Sequence, residues 1–322
     1  MLAHRPVIAV VGLGTMGCGI AVAALTSGMD VRLVDADEGA TRAGIGRLTR
    51  RMQAHVESGL LEPDVLATLD RAVPAAGYAD VGDAVDLIVE AVPEEWDVKR
   101  AVLASLSAGS PAVLATNTSA FPVDELATSV SGPSRFLGVH FFNPAEWIPG
   151  VEVVRGAQTS QDALAKALAL LGQMAKEPTV VVSSPGFLAN RLQLALFSEC
   201  LRCVDEGLET PEDIDRVVRT TFGFRLPAFG PFAIADMAGL DVYGSILTTL
   251  ATAFGQRFDI PPSMRTLLEE GRLGVKTGAG YATYTPAQVD ELLARRDAAY
   301  SRLAVGVLPG SATRSVPTRG HP

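Results

Sequence analysis

The stretch Val7-Ile-Ala-Val-Val-Gly12-Leu-Gly14-Thr-Met16-Gly17-Cys-Gly-Ile20 decides the fold. Five apolar residues read as a buried strand, the glycines as a turn, and the residues after them as a helix start. Gly12 permits the tight turn, Gly14 lets the backbone approach a pyrophosphate, and Gly17 lets the helix pack close to the strand. The helix N-terminus then offers unpaired N–H groups and a favourable dipole to phosphates. This glycine spacing alone is a weak signal. It gains weight from lying in the first strand–turn–helix unit and from a second apolar run ending at Asp35, 18 residues after Gly17. A carboxylate at that distance suits the ribose hydroxyls of a dinucleotide and repels a 2′-phosphate, so NAD is expected rather than NADP.

Outward from this unit, short apolar runs at 7–11, 31–34, 87–92, 113–115, 136–139, 151–154 and 179–182 alternate with helical patterns near 15–28, 38–58, 95–107, 122–130 and 160–175. The runs are nearly all apolar rather than alternating, as in strands covered on both faces. The alternation predicts an α/β, Rossmann-like, doubly wound and mainly parallel sheet. After Ser183-Ser184-Pro185-Gly186 no strand pattern remains. Helices are expected near 187–206, 211–221, 231–237, 240–254, 262–271 and 286–303. The expected organisation is therefore a dinucleotide-binding domain over 1–183, an all-helical C-terminal domain over 184–303, and a Gly/Pro/Ser/Thr-rich flexible tail over 304–322.

The chain has 322 residues, 48% of them hydrophobic and 20% charged, with a net charge of −9. Such an acidic balance disfavours nucleic acid and anionic lipid as partners. No apolar run has the length of a membrane span, and residues 1–6 are too short for a signal peptide, so a cytoplasmic location is expected. The three cysteines do not make a disulfide framework. Cys200 and Cys203 have CxxC spacing but fall within one helical pattern, without a second such pair or a nearby histidine, and no metal site is expected.

Of four histidines, His4 and His321 lie near the termini and His55 in an arginine-rich helical stretch. Only His140 follows a buried strand at its carboxyl end, where open α/β sheets bind ligands. Glu152 lies 12 residues on, in the otherwise apolar strand Val151-Glu-Val-Val. A carboxylate there needs a partner, because burying an unpaired charge is costly.

Further segments resemble the 3-hydroxyacyl-CoA dehydrogenase family, in its order and over about residues 5–285. They include Glu90-Ala-Val-Pro-Glu94-Glu-Trp-Asp-Val-Lys99, Thr116-Asn117-Thr118-Ser119, Gly138-Val-His140-Phe-Phe-Asn143-Pro144, Ser184-Pro-Gly-Phe-Leu-Ala-Asn190-Arg191 and Leu273-Gly-Val-Lys276-Thr-Gly278. The resemblance implies NAD-dependent oxidation of the 3-hydroxyl of a short L-3-hydroxyacyl thioester, in the manner of 3-hydroxybutyryl-CoA. It makes His140 the acid/base, Glu152 the carboxylate that orients it, and Ser119 and Asn190 contacts to the substrate oxygen. Cofactor contacts are expected from Gly12, Gly14, Met16, Gly17, Asp35, Glu94, Lys99, Asn117 and Lys276, with Asn117 and Asn143 also shaping their loops. A homodimer through the helical domain is implied too.

The match weakens in two places. The helix after the second strand, which holds CoA phosphates in the family, reads Arg42-Ala-Gly-Ile-Gly-Arg47-Leu-Thr-Arg50-Arg51 here. It is basic, but its residues differ from the usual serine and lysine. Residues 145–150 (Ala-Glu-Trp-Ile-Pro-Gly) replace an apolar stretch, and Glu146 and Trp147 are expected near the acyl end, marking a short or polar acyl group. An acyl-carrier-protein-bound or free hydroxy acid substrate, and a non-catalytic NAD-binding protein like the related lens crystallin, are the alternatives.

Overall fold

The computed structural model describes residues 5–82 and 84–307; most of the tail and the histidines at 4 and 321 lie outside the described residues. The chain divides into two compact units, residues 1–198 and 199–322.

The first unit is built on eight strands: β1 (Val7–Val11), β2 (Asp30–Val34), β3 (Ala72–Pro74), β4 (Leu87–Glu90), β5 (Val113–Thr116), β6 (Phe136–Phe141), β7 (Gly150–Arg155) and β8 (Glu177–Val182). Their order across the sheet is β3-β2-β1-β4-β5-β6-β7-β8. β1 to β6 are mutually parallel. β7 pairs antiparallel with β6, and β8 pairs parallel with β7. The helices are α1 (Thr15–Thr26), α2 (Glu38–Glu57), α3 (Trp96–Gly109), α4 (Val123–Ala127) and α5 (Gln161–Gln173). Two apolar clusters cover opposite faces of the sheet. Alternate residues of β1 supply one each: Ile8 and Val10 on one side, Ala9 and Val11 on the other. The central strands are buried on both faces, as their mostly apolar runs implied, whereas Val180 and Val182 of the edge strand β8 are exposed.

The short strand β3 and the 3-10 turn before it, Pro63–Arg71, have no counterpart in the sequence reading. Three residues with proline at the end give too little pattern to register as a strand, and this one forms only because β2 offers an open edge. The reversal at β7 was equally invisible, since an apolar run does not encode its direction.

The division between the units falls within α6 (Ala189–Asp205), after Ser198 and so 15 residues beyond the boundary expected at 183. The second unit is all-helical among its described residues: α7 (Pro211–Thr220), α8 (Phe222–Arg225), α9 (Pro231–Ala238), α10 (Leu240–Phe254), α11 (Pro262–Glu269) and α12 (Pro286–Val307). Thr210 caps α7 by accepting from the Asp213 N–H, with Pro211 in the first turn as its sequence implied. α12 continues to Val307, four residues into the segment expected to be tail. Asp236, 1% exposed, accepts from the Tyr281 and Ala282 N–H groups and from the Tyr284 hydroxyl, whose pKa is pushed up to about 12 by burial and by that carboxylate. This hub anchors the loop that carries Lys276. Among the described residues no single helix is long and apolar enough to cross a membrane.

Candidate active site

The strand order reverses between β1 and β4, whose neighbours lead to opposite edges of the sheet. Crevices at such a switch point are where doubly wound sheets bind ligands. Here the loops after β1 and β4 enclose a cavity of about 440 Å³, lined by Gly12 to Met16, Asp35, Arg47, Ala91 to Glu94, Asn117 and Ser119. α1 starts at its rim without a side-chain cap and without an acidic residue in its first turn, so its leading N–H groups are open to an anion.

The glycines test the fit to a dinucleotide. A Cβ on Gly17 would stand 1.8 Å from the Gly12 carbonyl oxygen, and one on Gly12 would stand 2.7 Å from the backbone of Ala91 and Val92; Gly12 also has a φ of +89°. At Gly14 a Cβ would meet nothing within 4 Å. Gly12 and Gly17 are therefore held by packing, whereas the space over Gly14 is open for a ligand. Asp35 stands at the carboxyl end of β2, where Oδ2 accepts from the Leu13 N–H at 2.9 Å and Oδ1 from the Ala36 N–H at 2.8 Å. These features fit a dinucleotide, for which Asp35 would hold the ribose and the α1 N-terminus the pyrophosphate. When bound, it supplies the acceptor for a hydride.

Glu94 and Lys99 come together, but not as two separate contacts on the cavity. Lys99 points inward and is 1% exposed. Its ammonium is shared among Glu90 Oε1 at 2.8 Å, Glu94 Oε2 at 3.2 Å and the Val92 carbonyl at 3.3 Å. Glu90 is fully buried and also accepts from the Thr116 hydroxyl and the Val92 N–H. Glu94 Oε1 accepts from the Thr118 hydroxyl and from the N–H groups of Ser119 and Ala120. A buried ion pair thus fixes Glu94, and Glu94 fixes the turn that presents Ser119. Glu90 went unnoticed in the sequence, although a glutamate closing an apolar run is the same signal that drew attention to Glu152.

His140 and Glu152 are brought together by the antiparallel pairing of β6 and β7, where they stand directly opposite. Opposed residues project to the same face. His140 Nδ1 and Glu152 Oε2 lie 2.9 Å apart, with both residues buried. The other carboxylate oxygen, Oε1, accepts from the N–H groups of Leu188 at 3.0 Å and Ala189 at 2.8 Å. Positive φ at Gly186 and Phe187 turns the chain to aim those two donors at Glu152. The imidazole is walled by Phe142 and Phe187, at ring-centroid distances of 4.5 and 5.6 Å. Neither phenylalanine nor the pair of N–H groups was singled out in the sequence; backbone donors leave no trace in residue identity.

Asn117 lines the cavity and accepts the Phe141 N–H on Oδ1 at 2.9 Å, which ties the main chain of β6 to it. Asn190 donates from Nδ2 to the Ser119 carbonyl at 3.1 Å. Lys276 belongs to the second unit and pairs with Asp241, which holds the Asp241 carboxyl below its ordinary range. Cys200 and Cys203 are free thiols on α6.

Glu146 and Trp147 behave otherwise than expected. Glu146 turns back to α2, accepting from Arg51 Nε at 2.6 Å and Nη2 at 2.8 Å, with His55 Nε2 at 2.9 Å from Oε1. Its side chain is only 2% exposed, and Trp147 packs edge-on against His55. Lys176, its pKa lowered by burial, donates to the carbonyls of Ala145, Glu146 and Ile148. A carboxylate with a waiting arginine prefers that partner to a cleft. Burial acts to raise the Glu146 pKa, but the hydrogen bonds from Arg51 and His55 outweigh it, and the net shift is downward. A carboxylate depressed on folding adds stability that is present above its unfolded pKa and lost as pH falls through its folded one. Glu146→Gln is accordingly expected to be less stable than the native chain at pH 7, the gap closing below the ordinary carboxylate range. Denaturant melts at stepped pH measure this.

A glycine turn at the switch point, open over Gly14 and flanked by the Asp35 carboxylate, is the arrangement of a dinucleotide-binding protein. Residues 7–184 match the NAD binding domain of 3-hydroxyacyl-CoA dehydrogenase, and residues 186–284 match its C-terminal domain. The chain belongs to the 3-hydroxyacyl-CoA dehydrogenase family and is an NAD-dependent oxidoreductase. It is 35% identical over 301 residues to a 5-formyl-3-hydroxy-2-methylpyridine 4-carboxylate 5-dehydrogenase of Mesorhizobium japonicum, covering 90% of this chain and 94% of that protein. It is also 35% identical over 281 residues to a probable 3-hydroxybutyryl-CoA dehydrogenase of Bacillus subtilis, covering 86% and 96%. A solved 3-hydroxyacyl-CoA dehydrogenase from Archaeoglobus fulgidus superposes with a TM-score of 0.77 at 30% identity, covering 94% of this chain and all of that one.

Proposed function

We propose that this chain oxidises the 3-hydroxyl of a short L-3-hydroxyacyl thioester to the ketone, with His140 as the base. The observation that carries the reading is the His140–Glu152 pair, 2.9 Å apart. Held on Nδ1 by Glu152, the ring presents Nε2 to the substrate and takes the hydroxyl proton as the hydride leaves the same carbon for the nicotinamide. Glu152, fixed by two backbone N–H groups, holds the ring orientation and stabilises the imidazolium that forms. Ser119 and Asn190 bind the substrate oxygen, and Asp35 and Glu94 flank the cofactor. In the reverse direction the imidazolium returns the proton. The likeness to the Bacillus subtilis protein supports a 3-hydroxybutyryl group.

One observation favours a second reading, a free hydroxy acid or related small carbonyl substrate. Two of the four α2 arginines are paired with carboxylates within the protein: Arg42 with Glu38 and Arg51 with Glu146. That leaves less cationic surface for the phosphates of CoA, and the Mesorhizobium japonicum relative is named for a pyridine carboxylate. Steady-state rates with acetoacetyl-CoA, a carrier-protein-bound ketoacyl group and free keto acids, followed by NADH absorbance, separate the readings. Turnover confined to the thioester of CoA supports the first, and turnover confined to free acids the second. No turnover with any of them leaves a binding-only protein.

The enzyme is proposed to act as a cytoplasmic homodimer. Leu192, Leu194 and Phe197 on α6 are exposed in the single chain, an apolar face of the kind that interfaces cover. Light scattering at micromolar concentration tests this, a monomeric mass counting against it.

A further inference from the structure

Two arginines one turn apart on α2 reach across to the glycine turn. Arg51 Nη1 donates to the Thr15 carbonyl at 3.0 Å, and Arg47 donates to the Leu13 carbonyl from Nε at 3.1 Å and Nη2 at 2.9 Å. Their charges are handled differently. Arg51 is neutralised by Glu146. Among the described residues no carboxylate forms an ion pair with Arg47, although Arg42 on the same helix has Glu38. Arg47 also lines the cavity, and it is the one cation among the lining residues, beside the acids Asp35 and Glu94.

A purely structural clip accounts poorly for this. The Leu13 carbonyl already accepts from the Cys18 thiol at 3.2 Å, so it has a partner without an arginine. Two of the five guanidinium N–H donors are spent on that carbonyl, leaving donors and a full charge on a residue that lines the same cavity as Gly14. A dinucleotide brings two negative charges to this place. The α1 N-terminus offers only partial charge, and neither lining acid can neutralise a pyrophosphate.

We infer that Arg47 is a binding residue for the dinucleotide pyrophosphate, its guanidinium held in place by the Leu13 carbonyl and completing the cradle formed by the glycine turn. The neighbouring carbonyl dipoles at 13 and 15, which would repel the anion, are capped by the same pair of arginines.

The test is direct binding to the full chain, measured by NADH fluorescence and by calorimetry with ADP-ribose, adenosine and NADPH, using Arg47→Leu and Arg47→Lys. A charge-assisted hydrogen bond of this kind predicts that Arg47→Leu weakens NADH and ADP-ribose alike by about 10- to 100-fold while leaving adenosine unchanged. Arg47→Lys, which keeps the charge but loses the fork, falls between the two. Added salt weakens NADH binding to the native chain more than to Arg47→Leu, because the lost interaction is screened. Unchanged NADH affinity in Arg47→Leu overturns the assignment. So does an equal loss of adenosine with a lower melting temperature in both variants, which is the signature of a clip on the turn. A loss confined to NADPH overturns it as well, since that places the guanidinium at the 2′-phosphate.

Discussion

His140→Gln is expected to lower turnover by about three powers of ten while NADH still binds with near-native affinity. The two halves of this expectation have separate physical grounds. A positioned acid/base contributes roughly 10²–10⁴ in rate, and glutamine is close in length but cannot take a proton at neutral pH. The cofactor cavity, by contrast, is lined by the glycine turn, Asp35, Arg47, the 91–94 loop, Asn117 and Ser119, without the imidazole. The Asn117 bond that ties this strand to the cavity goes to the main-chain N–H of Phe141, which the substitution leaves in place. Single-turnover kinetics beside an NADH titration measures both halves. A variant that retains a near-normal rate removes His140 as the base, whereas parallel loss of turnover and NADH affinity shows a collapsed strand rather than a missing proton acceptor.

The second large effect is expected at Lys99→Met. Lys99 and Glu90 are among the most deeply buried charged groups of the first unit, 2.8 Å apart, and removing one leaves the other without its counter-charge. Breaking such a pair typically costs about 3–5 kcal/mol, which lowers the melting temperature of a unit this size by roughly 10 °C. Replacing both partners is gentler than replacing one, since no uncompensated charge stays buried. The double variant Glu90→Gln with Lys99→Met is therefore expected to melt above Lys99→Met alone. Thermal melts of the two single variants and the double variant close the cycle, and a double variant that is the least stable of the three contradicts the account. Glu94 provides the link to the site: deprived of Lys99, it holds the Thr118–Ala120 turn less firmly, so NADH affinity falls in Lys99→Met as well.

Much of the fold was legible because its signals are local. Seven of the strands announce themselves as mostly apolar runs, and Gly12, Gly14 and Gly17 carry their steric reason in their identity: two positions have no room for a Cβ, and one must stay open. Asp35 and His140 were found by position in the same way, although His140 lies within β6 rather than after it. Glu152 was legible for a different reason, as a charge that an apolar strand cannot bury alone.

What failed to show in the sequence depends on contacts between distant residues. Glu146 was expected near the acyl end, but a carboxylate goes to the best available donor, and Arg51, 95 positions earlier, lies across the turn from it. Lys99 was expected to contact the cofactor and instead points inward, off the cavity lining, because Glu90 offers a full charge in a place that water cannot reach. Nothing in the arginine run of α2 distinguishes Arg47 from its neighbours; only the glycine turn packed against that helix does so.

The amino-acid order by itself determined the layered α/β unit, the glycine turn with its acidic companion, the helical second unit and the family, since each rests on periodicity, steric size or a motif that short spans of chain contain. Tertiary structure alone decided that β7 runs back along β6, which sets imidazole against carboxylate, and which cation stays unpaired beside the cleft. Strand direction and the pairing of charges are settled by what a residue meets across space, and that is a property of the folded chain rather than of any stretch within it.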